Sequence, residues 1–232
     1  MVGSARPVGD QLWRLGKRED PLAASPILTA VERAHPRGGN RFDSSQGNYR
    51  VIYFGSNIET CLGETLARLR PDPSLIAVVR DEWQGLGFME VGTVAAKWRA
   101  DRIAVLASID LQYFRNPSEA FVDAEDVATH QVLRQELAKT LAQLGYADLD
   151  VGVVRGPDRR VTRAISQWAY EQTDDDGNAR YAGVRYISRL NDAWECWAVF
   201  EDVPVYERET KAIELELPEL DRVAKEFGLR VF

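Results

Sequence analysis

Residues 49–71, YRVIYFGSNIETCLGETLARLRP, change their apolar rhythm across a single glycine, and this switch constrains the fold more than any other passage. YRVIYF is a β-branched and aromatic run of strand length that stops at Gly55. Ile58, Leu62, Leu66 and Leu69 then recur at helical spacing until Pro71, and Ser56 with Glu59 reads as a capping box at the helix start. A strand therefore hands over directly to a helix. Polar side chains on either side of such a tight connection can meet at one end of a sheet, where clefts commonly form.

The remaining segments supply partners for this unit. LWRL is a short leading strand within forty residues otherwise rich in Pro, Gly and charge, which read as a loop-rich flap. LIAVV is a buried-strand candidate, and the stretch through RIAVLASIDL reads as β and loop. A second helix is expected from Asp126 to Leu144, with Leu133, Leu137, Leu141 and Leu144 on one face and Gly145 as its stop. Val161, Ile165, Trp168 and Ala169 mark a third. AGVRYISRL and WECWAVFED follow the polar loop TDDDGNAR, and Ile213, Leu215 and Leu217 alternate with glutamates as in a half-exposed strand. The mixed order points to a single-domain α+β fold, with a mixed, mainly antiparallel sheet and flanking helices. Three segments are expected: 1–40 as leading strand and flap, 41–203 as the core, and 204–232 as a C-terminal strand and tail packing on it.

Composition excludes several function classes. A formal net charge of -7 gives no basic field for nucleic-acid backbones, so a small ligand or a protein partner is expected. The apolar runs fall well short of the roughly 20 residues of a membrane helix, and MVGSARPVGDQLWR has no signal-peptide apolar core; the expected location is cytoplasmic, without membrane contact. Cys61 and Cys196 read as reduced, buried thiols. HExxH, GxSxG, Walker and GxGxxG motifs are absent, and His35 and His130 stand far apart, so no metal site or hydrolytic triad is expected. Asp174, Asp175, Asp176 and Gly177 read as a solvated turn.

What remains is Arg41 in a Gly/Ser-rich loop, Tyr53 in the strand and Glu64 in the helix. Each has a plain structural explanation: a loop charge, a core aromatic, and a solvent-facing residue off the apolar stripe. Their spacing alone supports only the possibility of a shared cleft.

Taken together, LWRL, RFDSSQGNYRVIYFGSNIETCLGETLARL and YAGVRYISRLNDAWECWAVFED resemble the RES domain family over about Leu12 to Asp202. The pairing of an arginine-led Gly-rich loop with a Y-x-G-S-x-x-x-T-x-x-x-E-T unit carries most of the likeness, and the G-V-R-Y-x-S-R strand adds to it. The resemblance implies an ADP-ribosyltransferase-like fold and a toxin that consumes NAD+ as its substrate, needs no metal, and is neutralised by an Xre-type antitoxin. It leaves room for a homodimer within that complex. Some members are associated instead with ADP-ribosylation of a protein target, and a non-catalytic binding module is a third reading. Carried over by position, the family's arginines correspond to Arg14 and Arg41, its tyrosine to Tyr53, its glutamate to Glu64 and its serine to Ser188. Ser188 otherwise reads as a strand-end hydroxyl bonded to its own backbone. The implied roles match the residue types. Guanidinium groups of Arg14 and Arg41 fork onto phosphates, Tyr53 stacks on nicotinamide, Glu64 stabilises the positive charge on the ribose, and Ser188 positions the substrate. Two stretches depart from the family pattern: LWRLGKRED after its arginine, and the longer TDDDGNAR loop.

Overall fold

The alternating QLWRLGK and the apolar VIYFG form neighbouring strands that barely touch, and this near-miss opens the molecule. A computed structural model describes residues 2–71 and 92–232. In chain order the strands are β1 (Ser4–Ala5), β2 (Gln11–Lys17), β3 (Val51–Gly55), β4 (Thr93–Val94), β5 (Arg102–Ile109), β6 (Phe121–Asp123), β7 (Gly183–Ile187), β8 (Glu195–Phe200), β9 (Val205–Ala212) and β10 (Arg230–Val231). The helices are α1 (Ala30–Ala34), α2 (Ile58–Leu66), α3 (Ala96–Ala100), α4 (Val127–Glu136), α5 (Ala138–Leu144), α6 (Val151–Val154), α7 (Arg159–Glu171) and α8 (Pro218–Phe227). Among the described residues eight strands form one sheet in the order β1-β6-β7-β8-β3-β2-β5-β9, antiparallel throughout except between β6 and β7. The fold is thus a single α+β domain with a mostly antiparallel mixed sheet. No helix among the described residues is long and apolar enough to cross a membrane.

β2 follows β5 from Gln11↔Ser108 to Lys17↔Arg102 but meets β3 only at Trp13↔Gly55. Beyond that pair the sheet is split. One apolar cluster includes Leu133, Val161, Ile165, Phe121 and Trp197. A second joins α2 to α8 through Leu62, Leu66, Trp194, Leu220 and Phe227. α2 can sit this close because of Gly63, where an added Cβ would lie 2.2 Å from the Trp194 ring.

α7 carries an unusual buried polar side: Thr162, Arg163, Ser166 and Gln167 are all shielded from solvent. Arg163 donates to the carbonyls of Glu32, Arg33, His35 and Gly38 at 2.7 to 3.3 Å. Thr162 donates to Arg41 O at 2.5 Å and Ser166 to Phe42 O at 2.7 Å, while Gln167 Oε1 accepts from Ser44 Oγ at 3.0 Å. These bonds shape a backbone that has no ladder of its own.

Several expectations change. The helix after Gly55 is capped by Asn57, whose Oδ1 accepts from Thr60 N at 2.8 Å. Ser56 is drawn instead to Glu195 and the Trp197 indole, and Glu59 to Arg222. The helix expected over 126–144 breaks at Leu137 (φ -101, ψ 10) into α4 and α5, with Asp126 and Gly145 as the expected ends. The expected strand through Ile213, Leu215 and Leu217 is a turn into α8 that buries Ile213 and Leu217. β9 lies upstream, where VYERETKA shows no alternation because most of this edge strand is exposed. LIAVV lies outside the described residues. Trp194 and Trp197 are core, and buried His130 sits 2.8 Å from Ala124 O as a structural histidine. Asp174 closes the 174–178 turn by accepting from Asp176 N and Asn178 N.

Both thiols are buried, and desolvation pushes Cys61 up to about 12 and Cys196 upward as well. At pH 8 the native protein is expected to react with a thiol reagent far more slowly than the urea-unfolded chain, in which both thiols titrate rapidly. Arg163→Ala would leave several carbonyls unpaired; it is expected to lower stability by about 3 kcal/mol or more in urea unfolding and to hasten proteolysis within residues 32–38.

Candidate functional site

The opening between β2 and β3 continues into a cleft of about 1040 Å³. Arg14, Arg41, Tyr53 and Glu64 all line it. The strand-turn-helix unit places two of them: Tyr53 on β3 and Glu64 on α2, two turns after the Asn57 cap.

Glu64 is exposed, as its place off the apolar stripe suggests, but it faces the cleft. Its Oε1 accepts from Ser188 Oγ at 2.5 Å. Ser188 is 1% exposed, and its hydroxyl also accepts from Leu190 N at 3.0 Å, which aims its proton at the carboxylate. Ser188 is not among the cleft-lining residues; where the resemblance implied that it positions the substrate, its hydroxyl is bonded to Glu64. The backbone-bonded reading of Ser188 is met by the Leu190 N–H, and its bond to Glu64 was not foreseen.

Tyr53 contributes a ring, because its hydroxyl is fully engaged. It donates to Asp43 Oδ1 at 2.9 Å and accepts from Phe42 N at 3.0 Å. Asp43, itself buried, also accepts from Ser25 Oγ and Asn40 N. Burial first, and then the nearby Asp43 charge, push the Tyr53 phenol well above its ordinary range. The group stays neutral and tied to the loop.

The two arginines differ. Arg41 spends its fork on the carbonyls of Val154 and Gly156, fixing the end of α6. Burial lowers its pKa, opposed by Tyr186 and Glu64. Arg14 reaches across the split to Tyr53 O at 3.4 Å and to Ala23 O, while its buried Nε has no partner among the described residues. Burial lowers Arg14 to about 10. It therefore remains charged near neutral pH, without a bonded carboxylate among the described residues.

Sequence reasoning missed most of the cleft's charge. Among the described residues, nine arginine and lysine side chains line it against three carboxylates, so in a chain of net charge -7 this lining is cationic. Arg159 and Arg189 belong to this wall. Adjacency offered one signal, since Arg189 directly follows Ser188, but nothing local marked Arg159, which reaches back to Gly39 O and Arg37 O. The missed Asp43 and Tyr186 stand two residues from Arg41 and Ser188 respectively. The arrangement can hold an anionic ligand, press a ring against it, and set a fixed carboxylate beside a centre that becomes positive.

Residues 11–105 match the family model described as RES domain. That stretch contains Arg14, Arg41, Tyr53 and Glu64, and Ser188 lies beyond it. No curated protein matches the chain. The split, the loop before β3, and α2 thus fall in the matched segment, and it is this part of the chain that is similar to the RES domain.

Proposed function

We propose that the protein is an NAD+-consuming toxin that cleaves the nicotinamide-ribose bond and is neutralised by an Xre-type antitoxin. One observation carries this reading: Glu64, fixed by the buried Ser188 hydroxyl, stands in an arginine-lined cleft with the Tyr53 ring. RES domains are commonly associated with NAD-utilising activity, and the matched segment supports that general assignment.

The chemistry follows from charge. NAD+ brings two phosphates, for which Arg14 is the better of the two arginines because the Arg41 fork is already held by carbonyls. Tyr53 offers its face to the cationic nicotinamide ring. As the bond from ribose C1′ to the nicotinamide nitrogen breaks, its electron pair leaves with neutral nicotinamide, and positive charge builds on the sugar. The Glu64 carboxylate stabilises that charge, and the Ser188 bond keeps it from swinging away. Water, or another oxygen nucleophile, then adds at C1′ and releases a proton.

A time course of NAD+ loss and nicotinamide release tests the reading. Glu64→Gln is expected to cut kcat by about two orders of magnitude or more with the fold intact. Ser188→Ala should lower kcat about tenfold while leaving the KM for NAD+ little changed, because it loosens the carboxylate without touching the ligand. Arg14→Lys should act mainly on KM, raising it about tenfold as forked phosphate binding is lost. No NAD+ loss with folded wild-type protein, or unchanged turnover by Glu64→Gln, would sink the proposal. Transfer of labelled ADP-ribose to a protein would redirect it to a mono-ADP-ribosyltransferase.

A further inference from the structure

We propose that Tyr186 is a second ligand-binding residue of the cleft, its hydroxyl donating a hydrogen bond to the ribose diol that Glu64 engages from the other side. The inference rests on the NAD+-cleavage reading and names a residue that the reading does not use.

Strand register sets its place. Tyr186 on β7 pairs with Cys196 on β8, and Cys196 pairs with Gly55 on β3. The three therefore form a row across one face of the sheet, and Tyr53 lies on the same face two residues from Gly55. The floor between the tyrosines is made of small residues, Gly55, Cys196 and Ala198, which leaves room above it. The Tyr186 ring packs on Phe42, with centroids 4.6 Å apart.

Although 5% exposed, Tyr186 lines the cleft. Its hydroxyl has no oxygen or nitrogen partner among the described residues, and the polar group it faces is the Cys196 thiol, a weak acceptor. A thiol is a weak acceptor, so a stronger oxygen acceptor entering the cleft can draw this donor away from it. The contrast with Tyr53 is direct, because both hydrogen-bonding sites of that hydroxyl are already taken.

Ser188 follows Tyr186 by two residues, roughly 6.7 Å along an extended chain, and Ser188 holds Glu64. A carboxylate that only accepts and a phenol that donates thus line the same cleft, linked through Ser188. That pair complements a vicinal diol, in which one hydroxyl donates to Glu64 while its neighbour accepts from Tyr186. Burial keeps the phenol protonated and able to donate across the working pH range.

Tyr186→Phe removes the hydroxyl and keeps the ring on Phe42, so the fold is expected to be retained with an unchanged Tm. Titration calorimetry would compare ADP-ribose, which carries the reacting ribose, with ADP, which lacks it. The expected result is an affinity for ADP-ribose about tenfold weaker with ADP unaffected, and a similar fall in kcat/KM for NAD+. Equal ADP-ribose affinity in wild type and variant would overturn the proposal while leaving NAD+ cleavage intact. Equal losses for ADP-ribose and ADP would also overturn it, by placing the hydroxyl at the phosphates. Wild-type protein that neither binds ADP-ribose nor consumes NAD+ would defeat both readings together.

Discussion

The cleft depends on a buried guanidinium that serves as scaffold. Arg163 is fully enclosed and satisfies the carbonyls of four flap residues. On the same helix Thr162 and Ser166 bind the backbone carbonyls of Arg41 and Phe42, and Gln167 accepts from the Ser44 hydroxyl. A loop without a ladder cannot stay buried unless its polar groups are paired. α7 supplies those pairs and thereby sets where Arg41 and Asp43 stand. Tyr53 then locks the loop to β3 through its hydroxyl. The site is held by polar bonds from a helix more than a hundred residues downstream in sequence.

The second dependence is the missing pairing between β2 and β3. A continuous ladder there would close the cavity that Arg14 spans. The sheet gives up several backbone bonds at this point, and the Arg14 guanidinium recovers part of them by binding Tyr53 O and Ala23 O. That arrangement leaves a desolvated positive charge facing the cleft, which is a favourable setting for a phosphate. Around it, cleft and surface carry opposite electrostatic characters, so net charge misleads about what the cavity attracts.

Much of the local structure was legible in sequence. The strand ending at Gly55, the apolar stripe of α2, the Asp126 and Gly145 helix ends and the buried cysteines follow from periodicity and capping chemistry. The misses share a cause. Ser56 and Glu59 satisfy the local pattern of a cap, but distant Glu195, Trp197 and Arg222 compete for them and win. β9 is an exposed edge with no apolar period to read, and the alternation after it belongs to a turn. Arg14, Arg41, Tyr53, Glu64 and Ser188 were visible through a family resemblance, yet no spacing rule could reveal that Ser188 stands behind Glu64 or that α7 reads the loop backbone. Such facts depend on contacts across more than a hundred residues.

The most direct measurement is a crystal structure of the Glu64→Gln protein with NAD+ bound. The account predicts a dinucleotide seated in the split between β2 and β3, with the nicotinamide ribose beside residue 64, the nicotinamide against Tyr53 and a phosphate at Arg14. NAD+ bound outside this cleft, or with its nicotinamide ribose far from residue 64, would contradict it.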